Sequence, residues 1–362
     1  MKGTRILPEG ETEAAAPMAV CGLNALLQGE ARAHRNVGYK NSVSRFHMLT
    51  MSKCNELRHE LISRTYRPQK GEIHEVFEPK HRITVSAKYR DRVPQASFIT
   101  NYFYPNVVPN LIDANYACLK GRGVDKARKH FKDILREADM DDWCLKTDMA
   151  NYFASIDHDI LMREIGRFMP DPWARWFFEM TLQNTAQPVG VDLGSEVYQL
   201  SGTSFPNSLD HLADDGHYIR YQDDIIYIGS KDRCRETLET IRKEAARLKL
   251  TLSEKKTFIQ PVKRPVKFLG YSFLKKPTGR VTMKRLPEKV RKERRKLRRM
   301  KNKGVPIERA NEHYRSVRES LKRGSRSCLT KTDKYYRELF KEDKNVSDTQ
   351  RHQRAGKDRE KG

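Results

Sequence analysis

The sequence predicts an α+β fold, and two observations support this prediction. The middle of the chain holds short β-like segments, "WCLKTD" and "HYIRYQDD", which carry Asp148, Asp223 and Asp224. The stretches around and after these segments repeat apolar residues at helical spacing. With 362 residues, 33% of them charged, the chain is long enough for a large core in one or two globular units.

The charge balance favours a polyanionic partner. Lysines and arginines number 71 against 47 aspartates and glutamates, which gives a formal net charge of +24. Such a field attracts nucleic acid ahead of most other partners. We expect no membrane partner, because no run of about 20 apolar residues could span a bilayer and no basic-then-apolar leader opens the chain.

The cysteine pattern indicates reduced thiols in a cytoplasmic protein. There is no C-x-x-C pair and no nearby histidine at metal-ligand spacing, so a zinc site is not expected. The six cysteines are Cys21, Cys54, Cys118, Cys144, Cys234 and Cys328.

The N-terminal third predicts an arm, a helix and a hairpin. Residues 1–40 are interpreted as a mobile arm and lead-in. The arm reaches about Met18, because the residues up to that point show no sustained hydrophobic periodicity. "IHEVFEPKHRITVSAKYRDRV" mixes β-like runs with a Pro-Lys turn and predicts a hairpin lined by basic side chains. The stretch that begins at Arg45 predicts a helix. Its apolar stripe consists of Phe46, Leu49, Leu57, Leu61 and Ile62.

The order β-α-β-β-α is predicted around the carboxylates. A strand ends near Asp148, and the helix after it could be capped by Ser155 or Asp157. After Asp224 come the strand-like "IIYIGS" and an amphipathic helix. One face of that helix carries Cys234, Leu238, Ile241, Ala245 and Leu248.

The C-terminal part predicts a basic helical module. From Lys284 to Gly362 there are 28 lysines and arginines against 12 acidic residues, so +16 of the total +24 lies here. Apolar residues at helical spacing predict a folded unit with a basic outer face, and the residues from about Asn345 are expected to be disordered. The apolar positions are Leu286, Val290, Leu297, Met300, Ala310, Tyr314, Val317 and Leu321.

The carboxylates predict a metal site for phosphate chemistry. Neighbouring strands would bring Asp148 and Asp223 to one edge of a sheet, with Asp224 beside them. Like charges that close cannot all stay ionised unaided, so either one pKa rises or a cation lies between them. Hard oxygen ligands favour Mg²⁺, with Mn²⁺ as a possible substitute. Two such ions can activate a 3′-hydroxyl and stabilise a leaving pyrophosphate.

At these segments the chain resembles the reverse transcriptases, in family order over most of residues 45–340. The resemblance implies an RNA-directed DNA polymerase with a right-hand architecture. It implies fingers at 41–135, a palm with an antiparallel sheet at 136–279, a basic helical thumb at 280–343 and a disordered tail at 344–362. The segments that carry it are "FEPKHRITVSAKYRDRVPQ", "NYACLKGRGVDKA", "LKTDMANYFASIDHDIL", "VGVDLGSEVYQL", "YQDD", "LTLSEKKTF" and "VKFLGYSF".

The same resemblance implies roles for individual residues at the reacting end of the site. Asp148, Asp223 and Asp224 match the metal ligands, with Asp223 the firmer partner of Asp148. Lys256 matches a lysine that donates a proton to the leaving pyrophosphate, although Lys255 could serve instead.

Other residues match positions that hold the nucleotide and the primer. Phe153 matches the aromatic that leaves no room for a 2′-hydroxyl, which favours deoxynucleotides. Lys80 and Arg82 match the fingers cations that hold the triphosphate. Gly194 would let the backbone approach the nucleotide closely, and Gln222 belongs to the hairpin placed at the primer end.

Two departures from the family pattern concern the region between the aspartates. The glycine loop reads Asp192-Leu193-Gly194 where relatives often carry Pro-Gln-Gly, so the amide contact is absent. The following "SGTSFPNSLDHLADDG" contains Gly202 and Pro206 where relatives carry a longer apolar helix, which predicts a shortened or broken helix.

Two other classes of function stay open, and several biological systems fit the sequence. A maturase-like RNA-binding protein would use the basic surface without turnover, and an RNA-directed RNA polymerase would share the palm and metals. No space is expected for ribonuclease H, endonuclease or integrase domains. The resemblance implies an RNA template, a DNA or RNA primer and deoxynucleotides as substrates. Because accessory domains are not expected, we expect a noncoding RNA and an accessory protein as partners, and the chain could form an oligomer. These features fit bacterial diversity-generating retroelements, retrons and antiphage defence systems.

Overall fold

The computed structural model of the chain describes residues 15–77, 82–183, 188–191, 194–324 and 326–340. The chain forms two compact units, a first unit of residues 1–127 and 144–259 and a second unit of residues 128–143 and 260–362. Both contain helices together with antiparallel strands, in agreement with the predicted α+β class.

The described residues form fifteen α-helices. They are α1 (Ala15–Cys21), α2 (Leu23–His34), α3 (Asn41–Met48), α4 (Thr50–Ile62), α5 (Tyr89–Phe98), α6 (Tyr104–Asn106), α7 (Val124–Glu137), α8 (His158–Gly166), α9 (Pro172–Gln183), α10 (Glu196–Ser204), α11 (Asn207–Ala213), α12 (Lys231–Arg247), α13 (Pro287–Asn302), α14 (Ile307–Lys322) and α15 (Arg326–Phe340).

The strands of the described part of the chain form three sheets. They are β1 (Glu72–Val76), β2 (Arg82–Ser86), β3 (Trp143–Asp148), β4 (Tyr218–Tyr221), β5 (Asp224–Gly229), β6 (Phe258–Pro261), β7 (Val266–Phe268), β8 (Tyr271–Lys275) and β9 (Val281–Arg285). The sheet orders are β1-β2, β4-β5-β3-β6 and β7-β8-β9.

The N-terminal helices differ from the predicted mobile arm. Helix α1 begins at Ala15, inside the segment interpreted as an arm, and α2 packs against α4 and α5. Val20, Cys21 and Leu26 are fully buried. The prediction of a mobile arm was wrong for residues 15–18, because they belong to α1, which packs against α4 and α5. Residues 1–14 lie outside the described part of the chain.

The helix predicted from Arg45 is two helices. The backbone at Leu49 has φ −116° and ψ 24°, which ends α3 before α4 begins. Phe46, Leu57 and Leu61 are buried as expected, whereas Leu49 and Ile62 are 56% and 47% exposed. The single apolar stripe is therefore interrupted at Leu49, where α3 ends and α4 begins.

The predicted hairpin is confirmed as β1 and β2, which pair antiparallel from Glu72 opposite Ser86 to Val76 opposite Arg82. Its predicted end, "YRDRV", instead begins α5 at Tyr89.

The elements around the aspartates follow the prediction in part. Strand β3 ends at Asp148, and Asp157 caps α8 by accepting a hydrogen bond from the backbone N–H of Ile160 at 3.1 Å. Three further helices separate α8 from β4, so the β-α-β-β-α order holds only for the strands and the last helix. The predicted face of α12 is buried at all five positions.

The helix predicted to break does break. Helix α10 ends at Ser204 and α11 begins at Asn207, after Pro206. Pro206 has no N–H, so it cannot donate to the carbonyl four residues earlier, that of Gly202. The Tyr152 hydroxyl donates to that carbonyl instead.

The second unit contains the β7-β8-β9 sheet and the helices α13, α14 and α15. The predicted helical thumb from residue 280 is wrong in its first residues, because Val281–Arg285 pairs with β8 as a strand. The apolar positions predicted in α13 and α14 do form a core, together with Phe340. The predicted tail at 344–362 lies outside the described residues.

Two general expectations can be compared with the structure. All six cysteines are free thiols. Within the described ranges, no helix combines the length and the apolar character needed to cross a bilayer.

Candidate active site

Asp148 and Asp223 lie side by side at one edge of the β4-β5-β3-β6 sheet. The backbone N–H of Met149, the residue after Asp148, donates to the Asp223 carbonyl at 3.2 Å. The Asp148 carbonyl accepts from the Ser253 N–H at 2.7 Å, and Asp148 is only 5% exposed. The structure therefore brings together the two aspartates that the sequence places 75 positions apart.

The electrostatics of this pair depend on burial and on like charge. Burial raises the pKa of Asp223, and the neighbouring carboxylates of Asp148 and Asp224 raise it further. Lys256 opposes the rise. This is the outcome expected when carboxylates share a site with too little positive charge.

Two lysines supply part of that charge. The Lys256 Nζ donates to Asp148 Oδ1 at 2.6 Å, and the Lys146 Nζ lies 3.0 Å from Asp224 Oδ1. The hydrogen bond to Asp148 raises the pKa of Lys256. Lys146 precedes Asp148 by two positions in β3, so both side chains leave the same face of the sheet. The sequence interpretation missed Lys146, although this spacing was visible.

The three carboxylates suit a hard divalent cation, and two of them, those of Asp148 and Asp224, pair with lysines in this structure. Carboxylate oxygens are the ligands that Mg²⁺ and Mn²⁺ prefer, and the raised pKa of Asp223 marks a place where added positive charge is favourable. Among the residues described, no three histidine, cysteine or acidic side chains stand close enough to form a metal site as they are.

Gln222 occupies the turn between β4 and β5, where Tyr221 pairs with Asp224. Its φ of 57° lies in the left-handed region, which a tight hairpin turn requires. Its Nε2 donates to Cys118 Sγ at 3.0 Å and to Thr203 Oγ1 at 3.2 Å. The side chain amide therefore ties the turn to the surrounding protein.

Phe153 lies in the short 3₁₀ helix Tyr152–Ser155, five residues after Asp148, and is half-buried. Its ring meets the Tyr152 ring edge-on, with centroids 5.2 Å apart. A Cβ placed on Gly202 would lie 2.6 Å from Phe153 Cε1, so only glycine leaves the ring in this position. The missing side chain of Gly202, in α10, thus provides the space for Phe153.

The comparisons with known proteins agree with this geometry. A family model described as "Reverse transcriptase (RNA-dependent DNA polymerase)" matches residues 80–273, which is more than half of the chain. The chain belongs to this family. A search of curated proteins found no match.

Membership supports a polymerase palm and nucleotidyl transfer with an RNA template, a primer and deoxynucleotides as substrates. The matched range of this reverse transcriptase includes all three aspartates and Lys256. It ends at residue 273, before the helices α13, α14 and α15.

Of the remaining predicted residues of this reverse transcriptase, Arg82 lies in β2 and Gly194 lies just before α10. Arg82 begins β2, but its side chain is not described, and Lys80 lies outside the described residues. Gly194 was expected to leave room for the nucleotide. A Cβ there would instead collide with the Val85 carbonyl of β2, so Gly194 lets the loop backbone pack on that strand.

Proposed function

We propose that this reverse transcriptase copies an RNA template into DNA by two-metal phosphoryl transfer. The observation that carries the proposal is the juxtaposition of the buried Asp148 and the half-buried Asp223, joined through the Met149 N–H and the Asp223 carbonyl. Asp148 and Asp223 would hold two Mg²⁺ or Mn²⁺ ions with help from Asp224. When bound, such ions supply activation of the primer 3′-hydroxyl and stabilise the leaving pyrophosphate.

Lys256 is suited to move the proton at the leaving group. Its pKa is raised by Asp148, so it carries its proton at neutral pH. Its side chain is 53% exposed, which leaves it free to turn from Asp148 toward a phosphate oxygen. In this proposal Nζ of Lys256 gives a proton to the pyrophosphate oxygen as the bond to the α-phosphorus breaks.

The other residues select and orient the substrates. Phe153 would exclude a 2′-hydroxyl, and Lys80 and Arg82 would hold the triphosphate. Gly194 would act near the nucleotide by packing its loop on β2, and the turn at Gln222 would lie at the primer end. In this role the backbone of Gln222 would contact the primer, because the side-chain amide of Gln222 already donates hydrogen bonds to Cys118 and Thr203.

A basic surface on α13 would bind the nucleic-acid backbone. Helix α13 carries nine lysines and arginines against two glutamates. Leu297 is fully buried in the core of the second unit, while Arg291, Arg295 and Arg298 are exposed along one side of the helix. This arrangement supports the proposed division into fingers, palm and thumb, in which the second unit's helices form the thumb.

The biological setting that we propose is a bacterial retroelement or antiphage defence system in the cytoplasm. Diversity-generating retroelements and retrons are the retroelement candidates. The segment "NYACLKGRGVDKA" supports the first of these by resemblance. A noncoding RNA and an accessory protein would then be partners, and the enzyme could act as an oligomer.

We expect the purified protein to extend a primer on an RNA template with Mg²⁺ and deoxynucleotides, but not with ribonucleotides. Asp148→Asn should lower extension by at least about 10³-fold, because the site loses a charged oxygen ligand. The measurement is primer extension resolved by gel. Asp232→Asn, which changes an 82% exposed aspartate, is the control and should extend normally.

The alternatives give different results in the same assay. RNA binding without extension would indicate a maturase-like protein, and ribonucleotide extension would indicate an RNA-directed RNA polymerase. Either result contradicts the proposed function.

We expect nucleic-acid binding to weaken with salt, and to weaken less steeply after the exposed arginines of α13 are neutralised. Each lost phosphate contact should reduce the slope of log K against log salt by about 0.7–0.9. The variant is Arg291→Gln/Arg295→Gln/Arg298→Gln, measured by fluorescence anisotropy with a primed template. Arg235→Gln, whose guanidinium pairs with Asp232 at 3.0 Å, is the control. An unchanged slope in the triple variant would remove α13 from the interface.

A further inference from the structure

Arg220 is a charged residue in β4, the strand at one end of the β4-β5-β3-β6 sheet, and its side chain is fully buried. Its partner Asp210, in α11, is also fully buried. The guanidinium holds the carboxylate at two points, from Nε to Oδ1 at 2.6 Å and from Nη2 to Oδ2 at 2.6 Å. Burial alone would lower the pKa of Arg220, but Asp210 raises it. Arg220 therefore keeps its charge although it is buried.

The rest of the guanidinium binds two backbone carbonyls. Its Nη1 donates to the Gln222 carbonyl at 3.0 Å, and its Nη2 donates to the Thr203 carbonyl at 2.7 Å. The Thr203 carbonyl belongs to the last turn of α10, which the break at Pro206 leaves without intrahelical donors. The Asn115 side chain donates to the same carbonyl at 3.0 Å.

These contacts fix the peptide groups on both sides of Asp223. The Gln222 carbonyl, held by Arg220, belongs to the peptide group that enters Asp223. The Asp223 carbonyl, held by the Met149 N–H at 3.2 Å, belongs to the one that leaves it. The backbone of Asp223 is thus tied on one side to Arg220 and on the other to the residue after Asp148.

We propose that Arg220 is a positioning residue of the polymerase reaction. It connects the break between α10 and α11 to the turn at Gln222, and thereby sets the distance between Asp223 and Asp148. Its effect is on the affinity of the two carboxylates for divalent cations. This inference rests on the proposed function, because it assigns Arg220 to the geometry of the same carboxylates.

The chemistry of the guanidinium explains why an arginine stands here. Four hydrogen bonds in three directions require the fork of donors that arginine has and lysine lacks. A buried ion pair contributes little net stability, since desolvation offsets its attraction. Its value here is the orientation of the turn.

The test compares Arg220→Lys with Tyr218→Phe. Lysine keeps the buried charge but cannot reach Asp210 and both carbonyls together. Tyr218→Phe removes a different hydrogen bond to Asp210, 2.8 Å long, and leaves every Arg220 contact in place. Both variants remove a contact to the same buried carboxylate. If Arg220 only stabilised the fold, the two variants would therefore have similar Mn²⁺ affinities.

Mn²⁺ binding to the free enzyme, followed by electron paramagnetic resonance, is the primary measurement. We expect Arg220→Lys to weaken it by about tenfold, as for changes to groups that orient metal ligands. The Mg²⁺ concentration for half-maximal extension should rise by a similar factor, and Tyr218→Phe should match the wild type in both. Wild-type Mn²⁺ affinity in Arg220→Lys would overturn the proposal.

A second variant covers the case in which Arg220→Lys does not fold. Asp210→Asn/Arg220→Gln removes both buried charges together, which avoids an unpaired charge in the core. If it folds by circular dichroism, the same loss of Mn²⁺ affinity is expected. If neither variant folds, Arg220 is a folding residue and the positioning role is rejected. Absence of extension by the wild type would contradict the proposed function, while the Mn²⁺ comparison would still decide this inference.

Discussion

Asp223→Asn is expected to reduce primer extension by at least about 10³-fold while making the metal-free protein more stable. The loss of activity follows from the removal of a charged oxygen ligand next to Asp148. The gain in stability follows from the same removal, since the amide carries no charge to be repelled by Asp148 and Asp224. Substitution of a residue that serves only in packing would not combine a loss of activity with a gain in stability.

The sign of the stability effect depends on the direction of the pKa shift. The folded chain raises the pKa of Asp223 by burial first and by Asp148 second, so the folded state binds a proton more tightly than the unfolded state. That contribution to stability is complete below the unfolded-state pKa of about 3.9 and is lost as pH rises through the folded-state value. At pH 7 the ionised carboxylate therefore lowers the stability of the fold.

Thermal unfolding in EDTA measures this effect directly. At pH 7 the variant should unfold at a higher temperature than the wild type, and the difference should shrink as the pH falls and Asp223 takes up its proton. Asp232→Asn, at an exposed position in α12, should change neither the extension rate nor the unfolding temperature. If Asp223→Asn extended primers at the wild-type rate, the assignment of the site would be wrong.

Local patterns in the sequence predicted much of the fold. The burial of one face of α12 and the core of α13 and α14 follow from spacing alone, because each helix carries a continuous apolar stripe. The spacing did not reveal the break between α3 and α4 at Leu49. A regular spacing of apolar residues does not indicate where one helix ends and the next begins. The packing of α1 depends on partners distant in the chain, which no local pattern contains.

The candidate site was predictable where its chemistry is carried by sequence motifs. The structure places Asp148 and Asp223 together, as expected from two strands that end in carboxylates. The parts that were missed act through tertiary contacts. Lys146 is bound to Asp224, and Arg220 is bound to Asp210 and to the turn. A charged residue within the apolar run "HYIRYQDDIIYIG" predicts a buried partner of opposite charge. This argument applies to Arg220 as well as to the aspartates.

Phe153→Ala is expected to reduce the discrimination against ribonucleotides by about 10- to 100-fold. The ring stands five positions after Asp148, half-buried against Gly202 and Tyr152. Truncation to the Cβ atom would open the space that a 2′-hydroxyl needs. The measurement is the ratio of kcat/KM for a deoxynucleotide to that for the matching ribonucleotide during extension on one template.

The controls separate the shape of the site from a general loss of packing. Phe168→Ala truncates another half-buried phenylalanine of the first unit and should leave the ratio unchanged. Gly202→Ala leaves Phe153 in the chain but places a methyl group where the ring now lies, 2.6 Å from Cε1. Because the ring must then move, this variant should raise the KM for deoxynucleotides. A ratio in Phe153→Ala equal to that of the wild type would remove Phe153 from sugar selection, because the preference would then come from another part of the site.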